Sequence, residues 1–334
     1  MSEHRPSPGP APRDHPFPAS RVEGSSHGEL ILIGGLATRH RERVREFCLR
    51  SGAPVYAEPL SGLREDPRLD PILVHNERML ARGGFDSVIR IGNVPVVRFW
   101  RDLDTTLKHV RVSHYSDLPF AGLPRGEVRP IEELSGMAQP AERAFLDQDR
   151  EKSSALDRIL DDEPQSELAM IRALSREIPR GARVYLGNSL PVREWDLAAT
   201  REPREFAIEA NRGANGIDGQ LSTFFGWCAP DAENWCIIGD LTALYDANAP
   251  WVVPQLGVKF AIVIINNGGG RIFSRVASLR RMDCAVRERL VENAHTFRFE
   301  KWAAMWGIES NLHELRPDAA ATRRVWERYD ALWA

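Results

Sequence analysis

The stretch WCIIGDLTALYDANAPWVVPQLGVKFAIVIINNGGGRIF, residues 235–273, decides the fold. It predicts a strand that ends at Gly239-Asp240, a helix, a second strand that ends at Asn266-Asn267, and then a run of glycines. The apolar runs WCII and FAIVII are short and free of charge, which is typical of parallel strands buried on both faces. Because ligands bind at the carboxyl ends of such strands, Asp240 and Asn267 are expected to face one crevice.

Outward from this stretch, the chain predicts an α/β protein of two domains, each with a mainly parallel sheet flanked by helices. Residues 28–131 alternate strands and helices and are predicted to form a first, middle domain. Residues 132–164 are predicted to be a helical linker, and residues 165–334 a second α/β domain that contains the central stretch. Residues 1–27 carry Pro, Ser and charge without an apolar segment, which predicts a disordered tail and not a secretory signal.

Two local patterns complete this prediction. Gly34-Gly35 lies where a dinucleotide-binding unit holds phosphate, but the full G-x-G-x-x-G spacing is missing, which favours a tight strand-to-helix turn. The carboxyl-terminal part predicts amphipathic helices, and an aromatic stripe at helical spacing is typical of core. The core candidates there are Trp302, Met305, Trp306, Val325 and Trp326.

Composition and charge exclude several classes of function. The 334 residues carry a net charge of −3 without a basic face, which argues against nucleic acid as a partner. The 4 cysteines form no Cys-x-x-Cys pair, which favours reduced thiols in a cytoplasmic protein over a disulfide framework or a zinc site. No apolar run approaches the roughly 20 residues of a membrane span.

The polar residues of the central stretch suit a hard divalent cation. Asp240, Asn267 and a carbonyl of the glycine run would offer three oxygen ligands, and Mg2+ completes such a set with water and phosphate oxygens. Glycines let the backbone approach a ligand closely, and helix starts aim N–H groups at a diphosphate. Alternatively, Asp240 only caps the following helix and the Asn-Asn-Gly run is a turn. The presence of both motifs on successive strands favours the ligand site.

This combination resembles a known family. Gly239-Asp240, with Asn267 placed 27 positions after the aspartate, is similar to the GD…NN signature of thiamine-diphosphate enzymes. The segments GNSLPVREWD (187–196) and ANRGANGIDGQLST (210–223) resemble the 2-succinyl-5-enolpyruvyl-6-hydroxy-3-cyclohexene-1-carboxylate synthase (MenD) family of menaquinone biosynthesis. The resemblance covers most of the chain after residue 27, and NRGANGIDG is its most specific part.

The resemblance implies both cofactors and ligands. It implies thiamine diphosphate with Mg2+ or Mn2+, which Asp240, Asn267 and the Gly269 carbonyl would hold. The other cofactor-binding residues that it implies are Asn188, Ser189, Gly239 and Leu241.

It also implies a transferase reaction in which 2-oxoglutarate is decarboxylated and the resulting succinyl carbanion equivalent is added to isochorismate. Arg212 would bind substrate carboxylates and take part in catalysis. Arg98 either binds substrate or is a surface helix residue. Ile272 and Phe273 either form an apolar wall beside the reacting centre or belong to the core.

One departure from the family shapes the functional expectation. Family members have a further domain that binds the pyrimidine end of the cofactor and carries its activating glutamate, and the sequence shows only the proline-rich segment in its place. The carboxyl end is also expected to lack a last strand, which would leave the sheet edge open. We therefore expect a split synthase that needs a separate pyrimidine-domain chain and homo-oligomerisation. The alternatives are an inactive remnant and a non-catalytic cofactor-binding module.

Overall fold

The computed structural model describes residues 28–135, 143–213 and 215–334. The predicted tail, residues 1–27, lies outside these ranges. Within them the chain forms two five-stranded sheets, and every pair of neighbouring strands is parallel. Helices flank both sheets, which confirms the predicted α/β class.

The first sheet occupies the amino-terminal half of the described chain, with the strand order β2-β1-β3-β4-β5. Its strands are β1 (Glu29–Ile33), β2 (Val55–Ala57), β3 (Ser87–Ile91), β4 (Arg111–Tyr115) and β5 (Val128–Arg129). Its helices are α1 (Arg41–Ser51), α2 (Glu77–Leu80) and α3 (Arg98–Leu103).

Strand β1 shows why this sheet forms. Successive side chains point to opposite faces, so Leu30 and Leu32 enter one apolar cluster and Ile31 and Ile33 enter another. All four side chains are fully buried. A strand that is apolar on both faces needs cover on both, and the helices supply it.

The turn after β1 is tight, as its glycines predict. A side chain at Gly34 would place its Cβ 2.2 Å from the Asn93 carbonyl oxygen, so the residue must be glycine. The amide of Asn93 donates a 2.8 Å hydrogen bond to the carbonyl of Gly35. The two glycines therefore pack against the backbone that follows β3.

The second sheet has the strand order β10-β9-β8-β6-β7. Its strands are β6 (Arg183–Leu186), β7 (Ala207–Glu209), β8 (Asn234–Gly239), β9 (Phe260–Ile265) and β10 (Leu312–Leu315). The helices from the first sheet onward are α4 (Arg143–Asp162), α5 (Glu167–Glu177), α6 (Leu190–Ala198), α7 (Gln220–Trp227), α8 (Asp240–Tyr245), α9 (Val253–Leu256), α10 (Ala277–Arg280), α11 (Cys284–Leu290), α12 (Glu300–Trp306) and α13 (Ala319–Ala331).

The order of this sheet determines where a ligand can bind. From β6 the chain moves outward to β7, then returns to place β8 on the other side of β6, and continues through β9 to β10. The carboxyl ends of β6 and β8 therefore flank a topological switch point, where open α/β sheets form their crevice. Residues 187–189 follow β6, and Asp240 follows β8 directly.

Helices α4 and α13 pack against the first sheet together with Leu168 of α5. Leu156 of α4 and Tyr329 of α13 belong to the same apolar cluster as Leu30 of the first sheet. Helix α4 lies inside the predicted helical linker, while the predicted domain boundaries stay predictions. Across the described ranges, no helix combines the length and apolar character that a membrane span requires.

Near the carboxyl end one core prediction is wrong and one strand was missed. Met305 is 65% exposed, because Phe299 and Ala303 define the buried face of α12 and a residue two positions after Ala303 points away from it. Strand β10 was not predicted, although it pairs with β9 and covers that side of it. Val325, by contrast, is fully buried as predicted, and Trp302, Trp306 and Trp326 pack partly buried against the core.

Candidate functional site

Asp240 ties the end of β8 to the loop after β9. Its Oδ2 accepts hydrogen bonds from the amides of Gly268 (2.8 Å) and Gly269 (2.9 Å), and its Oδ1 accepts one from the amide of Leu241 (2.6 Å). The side chain is almost fully buried. Asp240 is thus more than a helix cap, because two of its three amide partners belong to the neighbouring strand's loop.

Burial raises the pKa of Asp240, and the amide of Gly269, the amide of Leu241 and the nearby His295 oppose that rise. His295 Nε2 lies 3.3 Å from Asp240 Oδ2. Because His295 Nδ1 accepts a hydrogen bond from the amide of Phe297, the proton of a neutral ring is on Nε2 and faces the carboxylate.

The glycine run is shaped by close packing. Gly269 has φ 132°, and a Cβ there would lie 2.6 Å from the carbonyl oxygen of Glu292. The amide of Gly270 donates to that same carbonyl at 2.6 Å. After the run the chain forms a short 3-10 helix at Arg271–Arg275, and the amides of Gly268 and Gly269 donate to Asp240.

Asn267 offers an unsatisfied oxygen. Its Nδ2 donates a 2.9 Å hydrogen bond to Glu167 Oε1. Its Oδ1 is buried and has no hydrogen-bond partner among the residues that the structure describes. Since a buried polar atom without a partner is costly, this oxygen suits a ligand of positive charge.

A cavity of about 360 Å³ opens at this point. It lies at the carboxyl ends of β6, β8 and β9, as the strand order requires. Most of the predicted site residues line it, namely Ser189, Arg212, Gly239, Asp240, Leu241, Asn267, Gly269, Ile272 and Phe273. The structure therefore brings together residues that are up to 84 positions apart in the sequence.

Asn188 lies behind the cavity wall. Its Oδ1 accepts a 2.6 Å hydrogen bond from Arg212, and its Nδ2 donates to the carbonyl of Gly216 at 2.8 Å. Asn188 thus orients Arg212, whose Nε is buried without a partner among the described residues. Burial lowers the pKa of Arg212.

Arg98, like Asn188, is a predicted site residue that does not line the cavity. It begins α3, and its Nε donates a 2.9 Å hydrogen bond to Asp102 in an exposed pair four residues apart. This arrangement matches the alternative that Arg98 is a surface helix residue, and its role in substrate binding stays a prediction. Phe273 is half-exposed at the cavity mouth, which favours the wall over the core for this residue.

Sequence reasoning missed three side chains at the site. Arg193 lines the cavity and its NH1 donates to the carbonyl of Ser189 at 2.5 Å, one helical turn earlier. The signal was present in GNSLPVREWD, since residues four apart share a helix face. Glu167 and His295 had no such signal, because they reach Asn267 and Asp240 from distant parts of the chain.

Carboxyl groups with raised pKa values lie at or near the cavity: Glu167 lines it, and Glu58 and Glu77 interact electrostatically with Arg193 of its lining. Burial raises the pKa of Glu58 to about 8 and that of Glu77 to about 7. Burial also raises the pKa of Glu167, and burial together with Glu167 raises that of Glu194. The guanidinium of Arg275 lies 3.6 Å from Glu194 and partly compensates that pair.

Comparison with known proteins finds relatives that match most of this chain. A protein of Bdellovibrio bacteriovorus is 36% identical over 343 aligned positions, covering 92% of this chain and 62% of the relative. One from Akkermansia muciniphila is 36% identical, covering 85% of this chain and 54% of the relative, and one from a Roseiflexus species is 31% identical, covering 80% and 48%. All three are named 2-succinyl-5-enolpyruvyl-6-hydroxy-3-cyclohexene-1-carboxylate synthase. The chain spans about half to three fifths of the length of these relatives, and no protein-family model matches it.

Proposed function

This chain belongs to the 2-succinyl-5-enolpyruvyl-6-hydroxy-3-cyclohexene-1-carboxylate synthase family, and we propose that it forms the diphosphate- and metal-binding part of such an enzyme. The observation that carries the proposal is the buried Oδ1 of Asn267, which has no hydrogen-bond partner among the described residues and shares the cavity at the switch point with Asp240. The Asp240 carboxylate, Asn267 Oδ1 and the Gly269 carbonyl would hold Mg2+ or Mn2+, which prefer oxygen ligands.

The cavity residues suit a cofactor and two acidic substrates. Thiamine diphosphate, when bound, supplies the carbanion chemistry for decarboxylating 2-oxoglutarate and adding the succinyl fragment to isochorismate. Arg212 and Arg193 offer guanidinium groups for the carboxylates of these substrates. With the cofactor bound, Ile272 and Phe273 would exclude water from the reacting centre, and Ser189, Gly239 and Leu241 would contact the cofactor.

Full turnover in this proposal needs more than the cavity supplies. The family's activating glutamate belongs to a pyrimidine-binding domain, and a general acid–base group of that kind contributes roughly 10²- to 10⁴-fold to rate. We propose that a separate chain supplies it, in a cytoplasmic complex that also contains more than one copy of this chain. The mass of the native complex tests this directly, since a second polypeptide in it is the expected result and a complex of this chain alone contradicts it.

Calorimetry tests the binding site itself. Titration of the purified chain with thiamine diphosphate in Mg2+ should release or absorb heat with saturation, and Asp240→Ala should abolish that signal because it removes a charged metal ligand. Asp231→Ala changes an exposed carboxylate in the loop before β8 and should bind as the parent does. Absence of binding by the parent chain, or equal binding by Asp240→Ala, contradicts the proposed site.

If the chain is instead a non-catalytic binding module, it has the same cofactor site but does not turn over substrate. Release of CO2 from 2-oxoglutarate by the native complex favours the synthase. A complex that binds thiamine diphosphate but releases no CO2 favours the module, and a chain that binds none favours the inactive remnant.

A further inference from the structure

Glu167 reaches the cavity from a distant part of the chain. It begins α5, lies 100 residues before Asn267, and is only 3% exposed. Its Oε1 accepts the 2.9 Å hydrogen bond from Asn267 Nδ2, and the residue lines the cavity.

This hydrogen bond decides which end of the Asn267 amide faces the cavity. An amide presents an oxygen acceptor at one end and an NH2 donor at the other. If the group were rotated by half a turn, its oxygen would face the Glu167 carboxylate and its NH2 the cation site, and both contacts would be unfavourable. The carboxylate therefore selects the orientation in which Oδ1 is available as a metal ligand.

Glu167 is itself held in place. Its amide donates a 3.0 Å hydrogen bond to Thr322 Oγ1, so α13 fixes the start of α5. Ser166 caps the helix by accepting from the amide of Ala169 at 3.3 Å. A carboxylate at the first position of a helix is also favoured by the helix dipole. The backbone that carries the Glu167 side chain is thus fixed by contacts within the fold.

We propose that Glu167 is a positioning residue, which fixes the Asn267 amide with its oxygen toward the bound cation. The inference rests on the proposed function, since it takes Asn267 as a metal ligand. Residues that orient metal ligands in this way change metal affinity about 10- to 100-fold when they are lost.

Mn2+ titrations followed by calorimetry, with thiamine diphosphate at a fixed concentration in cell and syringe, test the proposal without measuring turnover. Glu167→Ala should weaken Mn2+ binding roughly 10- to 100-fold, because the amide loses its orienting acceptor. Glu167→Gln keeps an acceptor oxygen and should bind Mn2+ more tightly than Glu167→Ala. Glu163→Ala, which removes an ion pair with Arg324 just before α5, should bind as the parent does.

A double-mutant cycle separates positioning from general damage to the fold. If Glu167 acts through Asn267, then Glu167→Ala should have no further effect on Mn2+ affinity in an Asn267→Ala background. The proposal is overturned if Glu167→Ala lowers Mn2+ affinity equally in the parent and in the Asn267→Ala background. It is also overturned if Glu167→Gln and Glu167→Ala lower Mn2+ affinity equally. A parent chain that binds no Mn2+ overturns the proposed function, whereas a parent that binds and a Glu167→Ala variant with unchanged affinity overturn only the positioning role.

Discussion

At the scale of the residue, the site depends on a glycine that no other residue can replace. Gly269 combines a positive φ of 132° with a backbone carbonyl only 2.6 Å from where a Cβ would lie. The first feature is disfavoured for L-residues, and the second cannot be relieved by a side-chain rotation. Gly307 offers a comparison, since it has φ 65° but nothing within 4 Å of its Cβ position.

Gly269→Ala should therefore destabilise the chain more than Gly307→Ala. Conformational strain alone costs about 1–2 kcal/mol for Ala at Gly307, whereas Gly269→Ala adds the displacement of the Glu292 carbonyl to about 1–3 kcal/mol of strain. Urea unfolding measures both free energies. Gly269→Ala should also weaken thiamine diphosphate binding in Mg2+, while Gly307→Ala should not. Equal unfolding free energies for the two variants would show that the Glu292 carbonyl moves aside at little energetic cost.

At the scale of the element, α6 connects the cavity to the first sheet. Its amino-terminal cap is Ser189, with φ 72° and ψ −124°, a conformation that is strained for any residue except glycine. At its other end, the guanidinium of Arg64 donates hydrogen bonds to the carbonyls of Asp196, Ala199 and Thr200. The helix is anchored by the first-sheet half of the molecule and holds a strained serine at the cavity.

Ser189→Gly should make the chain more stable and a poorer binder. Glycine adopts the Ser189 conformation without strain, so the free energy of unfolding should rise by about 1 kcal/mol. Loss of a hydroxyl contact to the cofactor should weaken thiamine diphosphate binding roughly threefold to tenfold. Glu205→Gly relieves a positive φ of 58° outside the cavity and should raise stability without changing affinity. A Ser189→Gly variant that gains stability and binds equally well would remove the serine from the cofactor site.

At the scale of the whole molecule, acidic groups are buried where the two halves meet. Glu58 follows β2, is almost fully buried, and accepts a 2.6 Å hydrogen bond from the amide of Val96. Nearby, the Tyr56 hydroxyl donates a 2.5 Å hydrogen bond to Asp196 of α6. Burial raises the pKa of Glu58 from 4.5 to about 8, so the folded chain holds a proton there that the unfolded chain releases.

The free energy of unfolding should therefore fall with rising pH through this group. The stabilising contribution is fully present below the unfolded pKa of 4.5 and is lost as the pH rises to about 8. Glu58→Gln keeps the acceptor without a charge, so its melting temperature should approach that of the parent near pH 5 and exceed it by several degrees near pH 9. Glu46→Gln, an exposed substitution on α1, should change the melting temperature little at either pH. A constant difference between Glu58→Gln and the parent across this range would contradict the raised pKa.

Much of the fold was predictable because it depends on local pattern. Runs such as ELILI and FAIVII are apolar on both faces, and only a parallel sheet with helices on both sides buries them. The proximity of Asp240 and Asn267 also followed from the sequence, since each ends one of two strands that pair side by side. Strand β10 was missed because LHEL is short, carries two adjacent polar residues and is only partly buried at the sheet edge.

The sequence by itself determined the α/β class, the two parallel sheets and the family, because each is recognised from stretches of residues that are contiguous in the chain. Only the tertiary structure decided that Asn267 donates a hydrogen bond to Glu167, that His295 faces Asp240 and that Arg98 lies outside the cavity. These contacts join residues up to 100 positions apart, and they depend on how helices α5 and α13 pack against the sheets. Local pattern specifies which face of an element is buried, whereas the partner across the interface depends on the packing of the whole chain.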